Sequence, residues 1–227
     1  MSMRVFRAAS NLNNNRRFQA LVMTIKNLDP ARPVVAFDAD GVLLDLKTSY
    51  LSLAARILGR PLAERTKSYC FQERFGLTRE EAEQVRAQLY TFAGMSALPP
   101  LPGAVETVRS LKRAGFQVAV VTGIPPALEA ARRANFAAAG IEVDAIFCTG
   151  SAFDSKRHIL EAVRALSYVD DHLDHVEHAR AAGVPVLGWI DQDYGCHYAR
   201  PKDFLHCFGP SLAQIGHELI ARVRALA

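Results

Sequence analysis

The 227-residue sequence predicts an α/β fold in which a small helical insert interrupts a parallel sheet after its first strand. Three observations predict it. Short apolar runs alternate with helical patterns from Val34 onward, polar residues follow four of these runs, and the alternation stops between Asp45 and about Pro100. Half of the residues are hydrophobic, enough for a packed core, and no apolar run approaches the ~20 residues of a membrane span, so a soluble protein is expected.

Six apolar runs are candidate strands. Their near-continuous hydrophobicity is typical of strands that are buried on both faces of a parallel sheet. In chain order they cover residues 34–38, 118–122, 145–148, 168–170, 184–189 and, more weakly, 204–208. Three helical patterns between them are each followed by a glycine, a residue that often terminates helices. These glycines are Gly115, Gly140 and Gly183. A last helix is predicted after Ser211, which forms a capping-box sequence with Gln214.

The interval between residues 46 and 99 contains no convincing strand. One helix is expected over residues 48–58, and another begins at Thr78, whose hydroxyl forms a capping box with Glu81. A Pro-rich stretch around Pro100 is typical of a linker. The predicted organisation is therefore a basic, flexible N-terminal extension (1–32), an α/β core (33–45 and 100–227) and a helical cap (46–99).

Basic residues are concentrated in the N-terminal extension. Five Lys and Arg precede Asp29, the first acidic residue, and removing them from the 27 in the chain leaves 22 against 23 Asp and Glu. The net charge of +4 therefore belongs to the extension, and no nucleic-acid partner is expected. We interpret the extension as a flexible segment or the product of an upstream start codon, with an Arg-rich transit peptide as the alternative.

The spacing of the cysteines indicates the redox state of the cellular compartment. The four cysteines show no CxxC pattern, which argues against a disulfide framework or a zinc site; they are Cys70, Cys148, Cys196 and Cys207. A reducing cytoplasm is the simplest setting for such a chain.

Polar residues follow four of the candidate strands. In chain order they are Asp38 and Asp40 after the first, Thr122 and Gly123 after the second, Lys156 in the loop after the third, and Asp170 and Asp171 after the fourth. Open parallel sheets bind ligands at the carboxyl ends of their strands, near the point where the strand order reverses. We therefore expect these seven residues to converge on one site.

These residue types suit the transfer of a phosphoryl group. A phosphate monoester is a dianion, so an anionic nucleophile needs charge neutralisation, which Mg²⁺ held by carboxylates supplies. Asp38 could attack phosphorus, and Asp40 could protonate the leaving alkoxide and later deprotonate the hydrolytic water. Thr122, nearby backbone N–H groups such as that of Gly123, and Lys156 would hold the phosphoryl oxygens.

The four motifs resemble, in order, those of the haloacid dehalogenase-like (HAD) superfamily. The matching residues are Asp38 to Val42 for the DxDG(T/V) motif, Thr122 for the second, Lys156 for the third and Asp170-Asp171 for the fourth. The resemblance spans residues 34–189 and implies a Rossmann-like three-layer core with a helical cap of the C1 type. It also implies an aspartyl phosphate on Asp38 and Mg²⁺ bound by Asp38, by the backbone carbonyl of Asp40 and by the acidic pair.

Two of these assignments stay open. Arg157 adjoins Lys156 and could supply the cation instead. Either acid of the pair could bind Mg²⁺ directly; Asp171 is favoured, Asp170 is close behind, and Asp174 is a candidate further acid. Three histidines spaced by three (His172, His175 and His178) are interpreted as solvated rather than metal-binding.

Asp40 restricts the types of reaction that the resemblance allows. The dehalogenase and phosphonatase branches that the resemblance brings to mind lack this second acid, so a phosphatase acting on a small phosphorylated metabolite is the favoured function. A phosphomutase keeps the whole set of residues and remains the enzymatic alternative. The non-enzymatic alternative is a binding module that contacts anionic partners through its basic extension.

Overall fold

The computed structural model describes residues 22–195 and 203–227, which are organised around a six-stranded sheet. The strands are β1 (Val34–Phe37), β2 (Gln117–Thr122), β3 (Ala145–Cys148), β4 (Ser167–Asp170), β5 (Val186–Ile190) and β6 (Cys207–Gly209). They lie in the order β3-β2-β1-β4-β5-β6, and every neighbouring pair is parallel. The chain builds outward from β1 on one side and then continues on its other side, so the strand order reverses beside β1.

Five of the six predicted strands are confirmed, with end shifts of one or two residues. The fifth begins later than expected because the N–H of Val184 donates to the carbonyl of Ala179, within the turn that ends the preceding helix. The weak sixth run, 204–208, is displaced toward Gly209 because only its end pairs with β5.

Helices cover both faces of the sheet. In chain order they are α1 (Leu46–Leu58), α2 (Phe71–Phe75), α3 (Arg79–Leu89), α4 (Phe92–Met95), α5 (Ala104–Arg113), α6 (Glu129–Ala139), α7 (Arg157–Ala162), α8 (Leu173–Ala181) and α9 (Leu212–Arg224). Side chains alternate along β1: Val35 and Phe37 join the core that includes α5, α6 and α9, whereas Val34 and Ala36 join the core that includes α7 and α8. The fold is thus the predicted three-layer α/β arrangement.

The segment between β1 and α5 is helical, as predicted, and consists of α1 to α4 without a strand. Thr78 caps α3 in a capping box with Glu81, which confirms that prediction. The two connections of the segment lie side by side, since the N–H of Asp45 donates to Pro99 O (2.8 Å) and the N–H of Leu101 donates to Leu43 O (2.9 Å).

The second predicted capping box, at Ser211 and Gln214, is wrong. Ser211 is the N-cap of α9, but its side chain makes no capping hydrogen bond. The start of α9 is instead packed against the start of α5, where the N–H of Ala213 donates to Pro102 O (3.1 Å). The backbone there approaches Gly103 so closely that a Cβ on Gly103 would overlap it.

The last residues of the predicted N-terminal extension pack against the core. Residues 1–21 lie outside the described residues. Ile25 and Leu28 pack against the core that contains Val34, and the N–H of Asp29 donates to the side chain of Gln117 (2.7 Å). Within the described ranges, no helix has the length and apolarity needed to cross a membrane.

Candidate active site

Lys156 connects the ends of β1 and β4. Its Nζ donates to Asp38 Oδ1 and to Asp170 Oδ2, each at 2.8 Å, and its side chain is 1% exposed. The neighbouring Arg157 points away and pairs with Glu161 on the surface of α7. The structure therefore brings Lys156, and not Arg157, to the nucleophile predicted at Asp38.

Three carboxylates form one buried group. Oxygens of Asp38, Asp170 and Asp171 all lie within 4.8 Å of one another. These are the hard oxygen ligands that Mg²⁺ prefers, and their spacing allows one ion to contact all three. The carboxylate of Asp40 is not part of this group, and the prediction for Asp40 as a metal ligand concerns its backbone carbonyl instead.

Asp170 is the most fully bonded member. Tyr168 Oη donates to its Oδ2, the N–H of His172 donates to its Oδ1 at 2.8 Å, and His175 Nδ1 lies 3.3 Å from Oδ2. Burial by itself opposes ionisation of Asp170, but the attraction of Lys156 and His175 outweighs burial and holds its pKa below the usual range. Asp170 is thus an ionised anchor for Lys156.

Asp38 and Asp171 carry the unbalanced charge. Burial raises the pKa of Asp38 to about 6, although Lys156 opposes this effect. Burial and the nearby Asp170 and Asp38 raise the pKa of Asp171 well above its usual value. Three ionised carboxylates outnumber the cations beside them, so a divalent cation would offset the excess negative charge of the group.

Hydrogen bonds also fix the position of Asp171. Tyr194 Oη donates to its Oδ2, and the indole N–H of Trp189 donates to its backbone carbonyl at 3.0 Å. Its Oδ2 lies against Gly41, which has φ +84, and a Cβ on Gly41 would overlap this oxygen. A glycine is therefore required at the turn that follows Asp40.

Asp40 faces a different partner. Arg132 on α6 donates Nη2 to both of its carboxylate oxygens, at 2.8 and 2.7 Å. The Arg132 side chain is completely buried, and no hydrogen-bond partner is found for its Nε and Nη1 among the described residues. Asp40 is therefore held beside the carboxylate group rather than inside it.

Thr122 ends β2 next to the same site. Its Oγ1 is buried and has no hydrogen-bond partner among the residues that the structure describes. An unpaired buried hydroxyl is costly, so this oxygen is a natural donor for an incoming anion. Gly123 follows, and a Cβ on it would lie 2.7 Å from the Cα of Ala152, so glycine lets the loop after β3 approach.

Two predictions about the residues that follow β4 need correction. The interpretation of the three histidines as solvated is wrong for His175, which is 4% exposed and lies beneath Asp170. Its ring stacks between those of His172 and His178, at centroid distances of 5.0 and 5.8 Å. Asp174, the candidate further acid, has a side chain that is 69% exposed and does not join the carboxylate group.

Several residues of the site were not predicted from the sequence. Tyr168 could have been found, because residues two apart in a strand share a face and Tyr168 precedes Asp170 by two. Arg132, Gln192 and Tyr194 have no such local signal. Gln192 Nε2 donates to Gly41 O at 2.8 Å across 151 residues of chain, a contact that only the packing creates.

A cavity of about 510 Å³ lies between the helical segment and the sheet. Asp40, Gly41 and Asp171 line it on the sheet side, and side chains of α1 and α3 line it opposite. A cavity of this size accommodates a small metabolite.

A family of known proteins matches more than half of the chain. Residues 33–183 match the model of a family described as haloacid dehalogenase-like hydrolase. A comparison with curated proteins finds no match.

Solved structures share the fold at low sequence identity. A predicted phosphatase from Clostridium acetobutylicum has a TM-score of 0.58 and 17% identity over 84% of this chain and 99% of its own. A HAD family hydrolase from Deinococcus radiodurans, with bound phosphate and sodium, has a TM-score of 0.57 and 17% identity over 87% and 97%. A defluorinating L-2-haloacid dehalogenase has a TM-score of 0.54 and 16% identity over 85% and 95%.

Proposed function

The chain belongs to the haloacid dehalogenase-like hydrolase family, and from this premise we propose that it is a Mg²⁺-dependent phosphatase of a small phosphomonoester. One observation carries the proposal: three buried carboxylates lie together, and the buried ammonium of Lys156 bonds two of them, Asp38 and Asp170. A halide leaves without protonation and gives no reason to concentrate this much negative charge. A dianionic phosphate that binds together with a divalent cation does give a reason for this concentration of negative charge.

The metal would be held by Asp38 and Asp171, with Asp170 beside them and the carbonyl of Asp40 as the ligand that the family implies. When bound, Mg²⁺ would neutralise the phosphoryl charge and lower the barrier to anionic attack. Asp171 fits this role because, among the described residues, no cationic side chain bonds its carboxylate, whereas Asp170 already binds Lys156.

Asp38 is the proposed nucleophile. Lys156 orients its Oδ1, and the N–H of Asp38 is anchored on Val169 O at 2.8 Å, so the attacking oxygen is held in place. Attack on phosphorus forms an aspartyl phosphate and breaks the bond to the leaving alkoxide. Thr122 Oγ1 and the N–H of Gly123 would receive the phosphoryl oxygens.

Asp40 is the proposed acid and base. It would protonate the departing alkoxide in the first step and accept a proton from the attacking water in the second. Its separate position, on Arg132 and at the cavity, suits a group that serves the leaving group rather than the metal. The helical segment would act as the cap that encloses the leaving group and excludes water.

The test is turnover of p-nitrophenyl phosphate with and without Mg²⁺, in the wild type and in Asp38→Asn. We expect the substitution to lower kcat by at least about a thousandfold, or about 4 kcal/mol of barrier. The matched control is Asp174→Asn, an exposed acid in the first turn of α8 that does not join the carboxylate group, which should keep near-normal turnover. Acid-quenched wild type should carry one phosphoryl group on the peptide that contains Asp38.

Three outcomes would count against the proposal. Metal-independent halide release from a 2-haloacid without phosphatase activity would indicate a dehalogenase. Full turnover by Asp38→Asn would remove the nucleophile. Isomerisation of a sugar phosphate that is faster than its hydrolysis, seen by product analysis, would indicate a phosphomutase.

A further inference from the structure

The cavity above the site is rich in aromatic side chains. Six of its 22 lining residues are aromatic, against 8% of the whole chain. They are Tyr50, Tyr69, Phe71, Tyr90, Phe153 and Tyr194. Tyr50 and Phe71 contact each other at 4.6 Å between ring centroids, and Tyr69 meets Tyr194 edge to face at 5.1 Å. The walls on both sides of the cavity therefore present rings.

The position of the cavity identifies which part of a substrate would fill it. Its sheet side is formed by Asp40, Gly41 and Asp171, whereas Asp38, Thr122 and Lys156 do not line it. A phosphoryl group attacked by Asp38 would thus sit at one end, and the leaving group would extend past Asp40 into the cavity.

Most polar side chains around the cavity are already engaged. Asp45 accepts from the N–H of Thr48, and Gln192 donates to Gly41 O. Lys47 pairs with Glu64, and Arg79 pairs with Glu83. For Arg86, no ion pair is found among the described residues. Apart from the tyrosine hydroxyls, only Arg86 and Gln72 offer unengaged side-chain donors among the described lining residues, whereas the hydroxyls of a sugar need several convergent partners.

Phe153 is the most exposed of these six rings. Its side chain belongs to the loop just before Lys156, lines the cavity and is 82% exposed. Tyr90, on the opposite wall, is 39% exposed. Exposed rings that line one cavity are surface that an apolar ligand would bury.

We infer that the leaving group of the substrate is an aromatic alcohol, so that the enzyme hydrolyses ring-bearing phosphomonoesters in preference to sugar phosphates. This inference rests on the proposed phosphatase function. Aromatic groups gain edge-to-face and stacked contacts with the rings of the cavity beyond simple burial of area. A polyhydroxylated leaving group would lose hydrogen bonds to water without replacing them.

The test compares benzyl phosphate with glucose 6-phosphate. Both release a primary alcohol from a phosphorylated CH₂ group, so the comparison reports mainly on recognition of the ring. We expect kcat/KM to be at least about tenfold higher for benzyl phosphate. An equal or reversed ranking would overturn the inference while leaving the phosphatase function in place.

A matched pair of variants tests the role of the cavity wall. Phe153→Leu should lower kcat/KM for benzyl phosphate by about three- to tenfold and change that for glucose 6-phosphate by a smaller factor. Phe92→Leu is the control, because Phe92 is also exposed (59%) but does not line the cavity. Equal effects of the two substitutions would contradict the proposed contact.

A binding measurement separates failure of the inference from failure of the function. Titration of Asp38→Asn with benzyl phosphate and with glucose 6-phosphate, in Mg²⁺, should show tighter binding of benzyl phosphate, weakened by Phe153→Leu. If the wild type hydrolyses neither ester but this preference is found, the ring site stands and the phosphatase function falls. If neither ester is hydrolysed or bound, both are overturned.

Discussion

The guanidinium of Arg132 donates one nitrogen, Nη2, to both carboxylate oxygens of Asp40, at 2.8 and 2.7 Å. The two residues are 92 positions apart, and Arg132 is completely buried whereas the Asp40 side chain is 18% exposed. This contact turns the Asp40 carboxylate toward α6 and the cavity, away from Asp38, Asp170 and Asp171. The proposed acid and base is thus positioned by a helix that carries no other residue of the site.

Replacing Arg132 should impair proton transfer to the leaving group. In Arg132→Met, Asp40 loses its only described side-chain partner, so we expect kcat/KM for an alkyl phosphate to fall by about tenfold or more. p-Nitrophenyl phosphate should be affected much less, since its leaving group departs without a proton. Kinetics with both esters measures the difference.

The control for that substitution is Arg133→Met, which removes the adjacent, half-exposed arginine paired with Glu129. It should change neither substrate's kinetics. A uniform loss of rate for both esters in Arg132→Met, accompanied by a lowered Tm, would indicate a purely structural role for Arg132.

Binding of Mg²⁺ should be visible in the fluorescence of Trp189. This is the single tryptophan of the chain, and its indole donates to the carbonyl of Asp171 at 3.0 Å. Burial raises the pKa of Asp38 to about 6 and that of Asp171 well above its usual value, so protons must leave before the ion binds. The apparent affinity should therefore fall by up to about tenfold per proton for each pH unit below 6.

Fluorescence titrations with MgCl₂ at several pH values between 5 and 8 measure this dependence. Asp171→Asn should abolish the response, and Asp174→Asn should preserve it because that side chain is exposed. A binding curve that does not change with pH would argue against Asp38 and Asp171 as the ligands.

Gly41→Ala should damage the metal site. The new Cβ would overlap Asp171 Oδ2, and the backbone φ of +84 disfavours any side chain. We expect at least about tenfold weaker Mg²⁺ binding and a matching loss of turnover. Gly59→Ala is the control, since its φ of +66 brings similar backbone strain but nothing lies within 4 Å of the added Cβ. It should cost about 1 kcal/mol of stability and leave activity intact.

Comparable Mg²⁺ affinities in the two glycine variants would show that the overlap with Asp171 is relieved elsewhere. Isothermal titration of each variant with Mg²⁺ gives the comparison directly.

Glu64→Gln should destabilise the helical segment. Arg74 is 1% exposed and donates to Glu64 Oε1 at 3.1 and 2.9 Å, so the substitution leaves a buried cation with a neutral acceptor. We expect a loss of about 2 kcal/mol in the free energy of unfolding at pH 7. Glu83→Gln, which breaks only the exposed pair with Arg79, should change it by no more than about 0.5 kcal/mol.

The stability that Glu64 contributes should decrease as the pH falls. Hydrogen bonds from Lys47 and Arg74 lower the pKa of Glu64 to about 2, from 4.5. A lowered carboxyl pKa contributes stability that is fully present above 4.5 and is lost as the pH falls toward 2. Urea denaturation should therefore show the wild type and Glu64→Gln converging below pH 4.5, and a constant difference would contradict the ion pair's contribution.

The sequence determined those features that depend on neighbours along the chain. The strands were predictable because each is a continuous apolar run, and the segment from Asp38 to Asp45 was predictable because Asp38, Asp40 and Gly41 follow such a run. The convergence of residues from four strand ends follows from the geometry of a parallel sheet. The capping box at Thr78 is likewise a contact between residues three apart.

Only the tertiary structure decided between residues that the local sequence suited equally well to the same role. Lys156 and Arg157 are adjacent cations, and the turn into α7 buries the first and exposes the second. Ser211 has a capping sequence, but the packing of α9 on α5 satisfies the backbone there instead. The contacts of Arg132 with Asp40 and of Gln192 with Gly41 join distant parts of the chain. Their partners are chosen by how helices and loops pack on the sheet, which no local pattern in the sequence encodes.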